Sequence, residues 1–223
     1  MALTPNQIQK GQKDVSFLIT NLRQQPWLIE HVDEEYQTED VCLVAVNESG
    51  WSLRHIKPAK RTDKVCLVAV MRTCFVLEYV INKTVEICVV ALEQDPYMLM
   101  YIEEKFQTEE MCLMAVRKDG QVLQYVFNKT RAVCLAAVEN DPSSLAYVDE
   151  QDDEICMTAV VKDFWSLDHV ANQTEDLCYV ALNNAGDDDA LHLVNSIMND
   201  ELRERFKKWI INKRFMKKES RSR

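Results

Sequence analysis

Eight cysteines are the first residues of this chain whose type and spacing bear on chemistry. Seven of them, Cys42, Cys66, Cys88, Cys112, Cys134, Cys156 and Cys178, follow one another at steps of 22 or 24 residues. Thiolates bind zinc and attack carbonyls, yet zinc sites draw on close pairs of the C-x2-C kind, which this series lacks. Equivalent positions of packed helical repeats lie roughly 10 Å apart, too far to share a metal or close a disulfide. The seven are therefore expected to be buried and to serve as small hydrophobes. Cys74 falls outside the series, at a turn position where other units carry Gly or Pro, and is expected to be the exposed thiol.

The other candidate reagents fare no better. His31, His55 and His169 occupy a position that Tyr79, Tyr101, Tyr125 and Tyr147 fill in other units. A metal ligand would not exchange with tyrosine so freely, whereas a ring with an apolar body and a polar tip suits both. The acidic runs Asp149–Glu154 and Asp187–Asp189 lack the spaced ligands and the glycine of a calcium loop. The sequons at Asn82, Asn128 and Asn172 share one repeat phase, in which the Thr is a helix cap, and are by-products of capping, as is taken for Asn47. Nucleophile motifs, phosphate loops and HExxH are absent from the sequence. No catalytic residue, metal or cofactor is expected, and the chain is read as non-enzymatic.

What must position these residues is a repeat. Four residues before each series cysteine stands a capping residue: Thr38, Thr62, Thr84, Thr108, Thr130, Asp152 and Thr174. Three residues after it stands Ala, from Ala45 to Ala181, and thirteen after it the Tyr or His ring in six units. A degenerate unit precedes the first cysteine, with Leu18 in the cysteine position and His31 in the ring position. The step changes only between the ring and the next cap, so that link is the loop that tolerates insertion. Self-similarity at a period of this kind signals a repeat architecture.

Each unit reads as two short helices. Thr or Asp before an apolar run is an N-cap, and the acids after it suit the helix dipole. A run such as MCLMAV is apolar on all sides and needs enclosing neighbours. A second cap seven residues after the cysteine, in Asp95-Pro96, Asp119-Gly120, Asp141-Pro142 and Asp163, opens a half-exposed second helix. The alternative, buried parallel strands as in a leucine-rich repeat, fits the β-branched VCLVAV but not the Thr-Glu-Asp entrance. Helices of about ten residues are marginal alone, so stability must come from stacking, with the Ala at a close helix crossing. The fold expected is all-α: an α-solenoid of about eight short helical hairpins with a C-terminal capping helix.

QTEEMCLMAVRKDGQVLQYV, residues 107–126, carries the repeat in its fullest form. Its Gln/Lys-Thr-x-x-(hydrophobic)-Cys-Leu-x-Ala-Val core and Leu-x-Tyr-Val close resemble a short helical repeat family of unknown function, widespread in giant viruses of amoebae and found in some bacteria. The resemblance covers residues 14–194. It implies an intracellular, viral or effector-like protein and brings no activity or catalytic residues.

Composition agrees with an ordered body. Hydrophobic residues make up 47 % and charged residues 28 %, with four Gly and five Pro. The N-terminus has no apolar signal-peptide core, no stretch is long enough to span a membrane, and a reducing interior, host cytoplasm or virion, is expected. The net charge of −10 conceals a split: residues 201–223 hold ten bases and three acids, leaving 16 bases and 33 acids, a net of −17, in the first 200 residues. Three segments follow: a leader over 1–13, the repeat array over 14–194, and an amphipathic basic helix and tail over 195–223.

Two surfaces are left for a partner. Nine residues after the cysteine stand Trp51, Phe75, Tyr97 and Trp165, with Trp27 in the first unit. Trp27, Trp51, Phe75 and Tyr97 are expected to form an aromatic row, which serves either as a binding hot spot or as packing between neighbouring second helices. Beside it lie the variable positions Arg54, Glu78, Met100, Gln124 and Asp168. These favour a protein–protein interaction scaffold. In the tail, Leu202, Phe206, Trp209 and Ile210 follow helical spacing and suggest a capping helix over 200–212. The remaining KRFMKKESRSR is expected to stay mobile, with Lys213, Arg214, Lys217, Lys218, Arg221 and Arg223 available to anions. A nucleic-acid or anionic-surface protein acting through this tail is the alternative.

Overall fold

The computed structural model describes residues 4–221. Every regular element among them is a helix, and none is a strand. The α-helices are α1 (Pro5–Gly11), α2 (Val15–Leu22), α3 (Glu39–Glu48), α4 (Asp63–Arg72), α5 (Val85–Gln94), α6 (Glu109–Lys118), α7 (Arg131–Asn140), α8 (Asp153–Lys162), α9 (Glu175–Asn184), α10 (Asp187–Leu193) and α11 (Asp200–Arg221). The VCLVAV runs are thus helical despite their β-branching, because the chain entering them is capped. Thr38 Oγ1 accepts from Val41 N at 3.5 Å, Thr84 Oγ1 from Ile87 N at 3.3 Å, and Asp152 Oδ1 from Ile155 N at 2.8 Å. The caps at Thr62, Thr108, Thr130 and Thr174 do the same.

Each helix from α3 to α8 stops at a single extended residue, Ser49, Thr73, Asp95, Asp119, Asp141 or Asp163, whose N–H still donates to the repeat alanine's carbonyl. That residue also opens the next element. Asp95, Asp119, Asp141 and Asp163 accept from the N–H two residues on, at 2.8–3.0 Å. Here the structure corrects the sequence reading. The second element of each repeat is a six-residue 3-10 helix, as at Gly50–His55, Cys74–Tyr79 and Pro96–Tyr101, and not an α-helix. Its three-residue turn stacks every third side chain. Gly50, Leu53 and Ile56 form a buried column, as do Cys74, Leu77 and Val80, while Trp51 and Arg54, or Phe75 and Glu78, form an exposed one.

The link that varies in length is also a defined structure. In 24-residue repeats the two added residues make a short 3-10 turn, at Glu34–Tyr36, Pro58–Lys60 and Glu104–Phe106. The 22-residue repeats pass directly from the 3-10 helix to the next cap.

The chain divides into two compact units, Met1–Met111 and Cys112–Arg223. Within the first, α2 packs on α3, α3 on α4 and α4 on α5, and each 3-10 helix lies beside the next. Within the second, α7 packs on α8 and α8 on α9, with α10 and α11 following. The core of each repeat is the cysteine, the apolar residue before it, the alanine and the next apolar residue, such as Val41, Cys42, Ala45 and Val46, all fully buried. Completely burying a Leu, Ile or Val contributes about 1.5–3 kcal/mol, so neighbours supply what a ten-residue helix lacks alone. Ahead of the array, α1 buries Ile8 against the 3-10 helix Pro26–His31.

Candidate functional site

The thiols were the leading reagents, and their surroundings disarm them. All eight are buried and no disulfide joins them. Burial pushes Cys42 up to about 12 and Cys66, Cys88 and Cys178 up to about 11, and raises Cys74, Cys134 and Cys156. A protonated thiol is neither nucleophile nor metal ligand. Cys42 Sγ instead points at Gln37 O, five residues earlier and 3.7 Å away, and Cys66 and Cys134 make the same weak contact to Arg61 O and Lys129 O. Cys74 is a correction: it is only 5 % exposed, because it heads a 3-10 helix and starts that helix's buried column.

Nor do the histidines or acids assemble a site. Among the described residues no cluster of three His, Cys, Asp or Glu side chains is placed to hold a metal. His55 Nε2 accepts from Arg54 Nε at 2.8 Å; burial chiefly lowers its pKa, opposed by Glu30, 3.6 Å from Nδ1, and reinforced by Arg54 and His31. It is a neutral acceptor on the flank of the 3-10 helices. In the first acidic run, Asp152 caps α8 and, with Glu154, binds the Arg131 guanidinium, while Asp149 pairs with Lys129 at 3.1 Å. These carboxylates hold neighbouring repeats together.

What remains is the aromatic row. The 3-10 helix Pro26–His31 packs beside Gly50–His55, that one beside Cys74–Tyr79, and that one beside Pro96–Tyr101. Their second residues are Trp27, Trp51, Phe75 and Tyr97. Trp27 is 47 % exposed, Trp51 43 % and Phe75 50 %, while Tyr97 is half-buried. Trp27 leans edge-on against His31 with ring centroids 6.1 Å apart. Arg54, Glu78 and Met100 are exposed three residues further along, on the same face of their 3-10 helices. Gln124 and Asp168 take the equivalent exposed positions in the second unit, where Trp165 is 40 % exposed.

Residues 84–131 match the model of a family described as a domain of unknown function (DUF4116). The match runs from one cap residue, Thr84, just past another, Thr130, and so takes in two repeats of the chain. No curated protein and no solved structure matches the chain.

Sequence reasoning gave no role to the residue five before each cysteine, yet this residue ties the repeats together. Gln37 is fully buried; its amide nitrogen donates to Val32 O at 3.0 Å and Ile29 O at 3.3 Å, and its oxygen accepts from Lys57 N at 2.8 Å in the next repeat. Gln151 and Gln173 repeat this forward reach, to Ala171 N at 2.9 Å and Met198 N at 2.8 Å. Arg61 does so with more donors, binding Ile56 O and, ahead of it, Tyr79 O at 2.8 Å. A second clamp reaches backward from six residues after the cysteine. Gln94 donates to Val70 O and accepts from Cys74 N, and Asn140 does the same for Arg117 O and Gly120 N. The only signal for the first clamp in the sequence was the Gln/Lys at the head of the motif, and the second clamp had none.

The basic end is a helix too, and longer than expected. α11 does not stop at residue 212; it runs on to Arg221 because Lys213 to Arg221 contain neither Gly nor Pro. Lys213 Nζ donates to Asn183 Oδ1 at 3.2 Å and lies 4.6 Å above the Trp209 ring. The side chains of Arg214, Lys217, Lys218 and Arg221 lie outside the described residues, as does Arg223. No helix among the described residues is long and apolar enough to cross a membrane.

Proposed function

We propose that the chain is a non-catalytic α-solenoid that works as a protein–protein interaction scaffold. The observation that carries this reading is the aromatic row: three large rings held out to solvent by adjacent, rigidly clamped 3-10 helices. Large exposed apolar side chains in a row mark an interaction surface, and Trp is foremost among hot-spot residues. The nearest-neighbour packing within each unit supports the solenoid part, since repeat arrays contact only their neighbours. Arg54, Glu78 and Met100 differ in charge and size beside the row and would set which partner is accepted. In keeping with the repeat resemblance, the partner belongs to the reducing interior of a cell.

The basic tail supports its rival reading less. Arg203 pairs with Asp200, Arg205 with Glu175 and Lys207 with Glu204, and Lys213 donates to Asn183, so these four bases of α11 are engaged within the chain. The test compares intact protein with the Trp27→Ala/Trp51→Ala/Phe75→Ala variant as baits in extract of the source cells. Loss of one specific protein from the variant supports the row. An identical catch, or capture that vanishes with removal of residues 213–223 and falls steeply with salt, overturns it.

A further inference from the structure

The two residues after the cysteine are apolar and only half-buried in α3 to α5, as Leu43 and Val44 show, and on α9 the chain itself shows what such a helix face accepts. On α9, Glu175 pairs with Arg205 at 2.5 Å, the Tyr179 ring meets Trp209 with centroids 5.7 Å apart at 60°, and Asn183 accepts from Lys213. The three residues of α9 step by four, and so do their three partners on α11. Two helices matched in this way run side by side in the same direction over two turns, one turn of each against one turn of the other. α11 is otherwise held by Phe206 and Ile210, which are buried, and by its packing on α10 and the Val194–Ser196 turn.

Glu175, Tyr179 and Asn183 stand three before, one after and five after the repeat cysteine. On α3 the same three positions are Glu39, Leu43 and Asn47, again acid, apolar, amide. An open groove is lined there by Leu43, Val44, Asn47 and Glu48 of α3, by Lys64 and Val68 of α4, and by Arg23. Leu43, Val44 and Val68 are half-buried, unlike the fully enclosed Val41 and Val46 of the same helix. Glu39 is exposed and accepts from Thr62 Oγ1, and Asn47 Oδ1 accepts from Arg72; both carbonyl-type groups have further lone pairs to offer.

We propose that the α3–α4 groove binds a basic amphipathic helix supplied by another polypeptide, seated as α11 is seated on α9. Its Arg would pair with Glu39, an aromatic ring one turn on would cover Leu43, Val44 and Val68, and a Lys one turn further would reach Asn47. The exposed carboxylates of Glu39 and Glu48 on α3, in a body whose first 200 residues carry a net charge of −17, favour a basic ligand over an acidic one. Arg23 and Lys64 add a restriction: the incoming helix carries no base on the side that faces them. The inference rests on the scaffold reading but uses different residues from the aromatic row.

The probe is a labelled synthetic peptide of residues 199–213, NDELRERFKKWIINK, titrated into the full-length protein. Saturable binding is expected, weakened about tenfold or more by Leu43→Glu, which sets a charge on the apolar floor. Glu39 is exposed, so Glu39→Arg leaves the fold intact; it should weaken the peptide, and a peptide carrying Arg205→Glu should recover affinity for that variant. No binding, or binding that Leu43→Glu leaves unchanged, overturns the proposal. So does binding lost only in Tyr179→Glu, because the peptide then merely exchanges with α11. A dimer in sedimentation that Leu43→Glu dissolves would overturn it in favour of a second copy as occupant. Trp51→Ala with Phe75→Ala should leave the peptide bound, so failure here and failure at the aromatic row are told apart.

Discussion

Gln37 and Lys57, twenty residues apart, are joined by a 2.8 Å hydrogen bond from the Lys57 backbone N–H to the Gln37 side-chain oxygen. The same buried amide caps the end of the preceding 3-10 helix through Val32 O and Ile29 O. One side chain therefore satisfies three backbone groups in two repeats. Gln37→Ala should cost about 1–3 kcal/mol, the usual penalty for stranding buried polar groups. Urea denaturation of the full chain reads this directly; an unshifted midpoint would show that water takes over the bonds.

The repeat alanine sits at the closest approach between neighbours. A Cβ built on Gly50 would lie 2.6 Å from Ala69 O and 2.7 Å from Thr73 Cγ2, and Ala69 is fully buried. Both Gly50→Ala and Ala69→Leu should destabilise by about 1–3 kcal/mol through overpacking. Gly50 does not have a left-handed backbone, so a loss at that position reports space and not conformational freedom. Thermal unfolding of the two variants checks it, and stability equal to wild type would mean the helices separate cheaply.

Native thiols should be slow as a class. Titration with a thiol reagent at neutral pH should find no fast cysteine, Cys74 included, since all eight are buried. Adding urea to the midpoint of unfolding should release them together. One equivalent reacting at once in native buffer, traced by peptide mapping to Cys74, would contradict its 5 % exposure.

Alkali should unfold the protein before it titrates the folded thiols. The unfolded chain gives up thiol protons near the ordinary value of 9.0, whereas burial holds Cys66, Cys88 and Cys178 to about 11 and Cys42 to about 12. Their contribution is fully present below pH 9. Between pH 9 and 11 the unfolded state binds fewer protons than the folded one, so stability falls as pH rises. The denaturation midpoint should be level from pH 7 to 8.5 and decline above 9. A level course to pH 11 would mean that the thiols ionise in place.

The aromatic row should be nearly free of structural duty. Trp51→Ala should change stability by less than about 0.5 kcal/mol, as surface substitutions do, and acrylamide should quench Trp27, Trp51 and Trp165 more readily than the half-buried Trp209. Strong destabilisation of the Trp51 variant would make the row part of the packing.

How far the sequence reaches can be seen residue by residue. The caps, from Thr38 to Thr174, were legible because a cap and its recipient N–H lie three residues apart and the chemistry is local. The period and the buried Cys–Ala core followed from repetition alone, whereas repetition aligned the aromatics without deciding between solvent and packing. The second helix was misread because Leu53 and Ile56, three apart in so short a segment, suit an α-helix and a 3-10 helix equally. Cys74 was misread because its turn position suggests solvent, while the 3-10 column turns its side chain inward. The clamp escaped notice for another reason. Gln37, Arg61, Lys83 and Lys129 share a position but not a chemistry, and the partners of Gln37 and Arg61 extend to the next repeat, beyond the reach of any local rule.

A repeat whose last backbone groups are satisfied by the following one has a built-in reading frame. Duplication or loss of a whole module leaves every joint between the same two positions of neighbouring units, so the number of modules is free to drift in evolution. A cut inside the module parts a clamp residue such as Gln37 from the backbone group it holds, and natural length variants should therefore differ by complete modules.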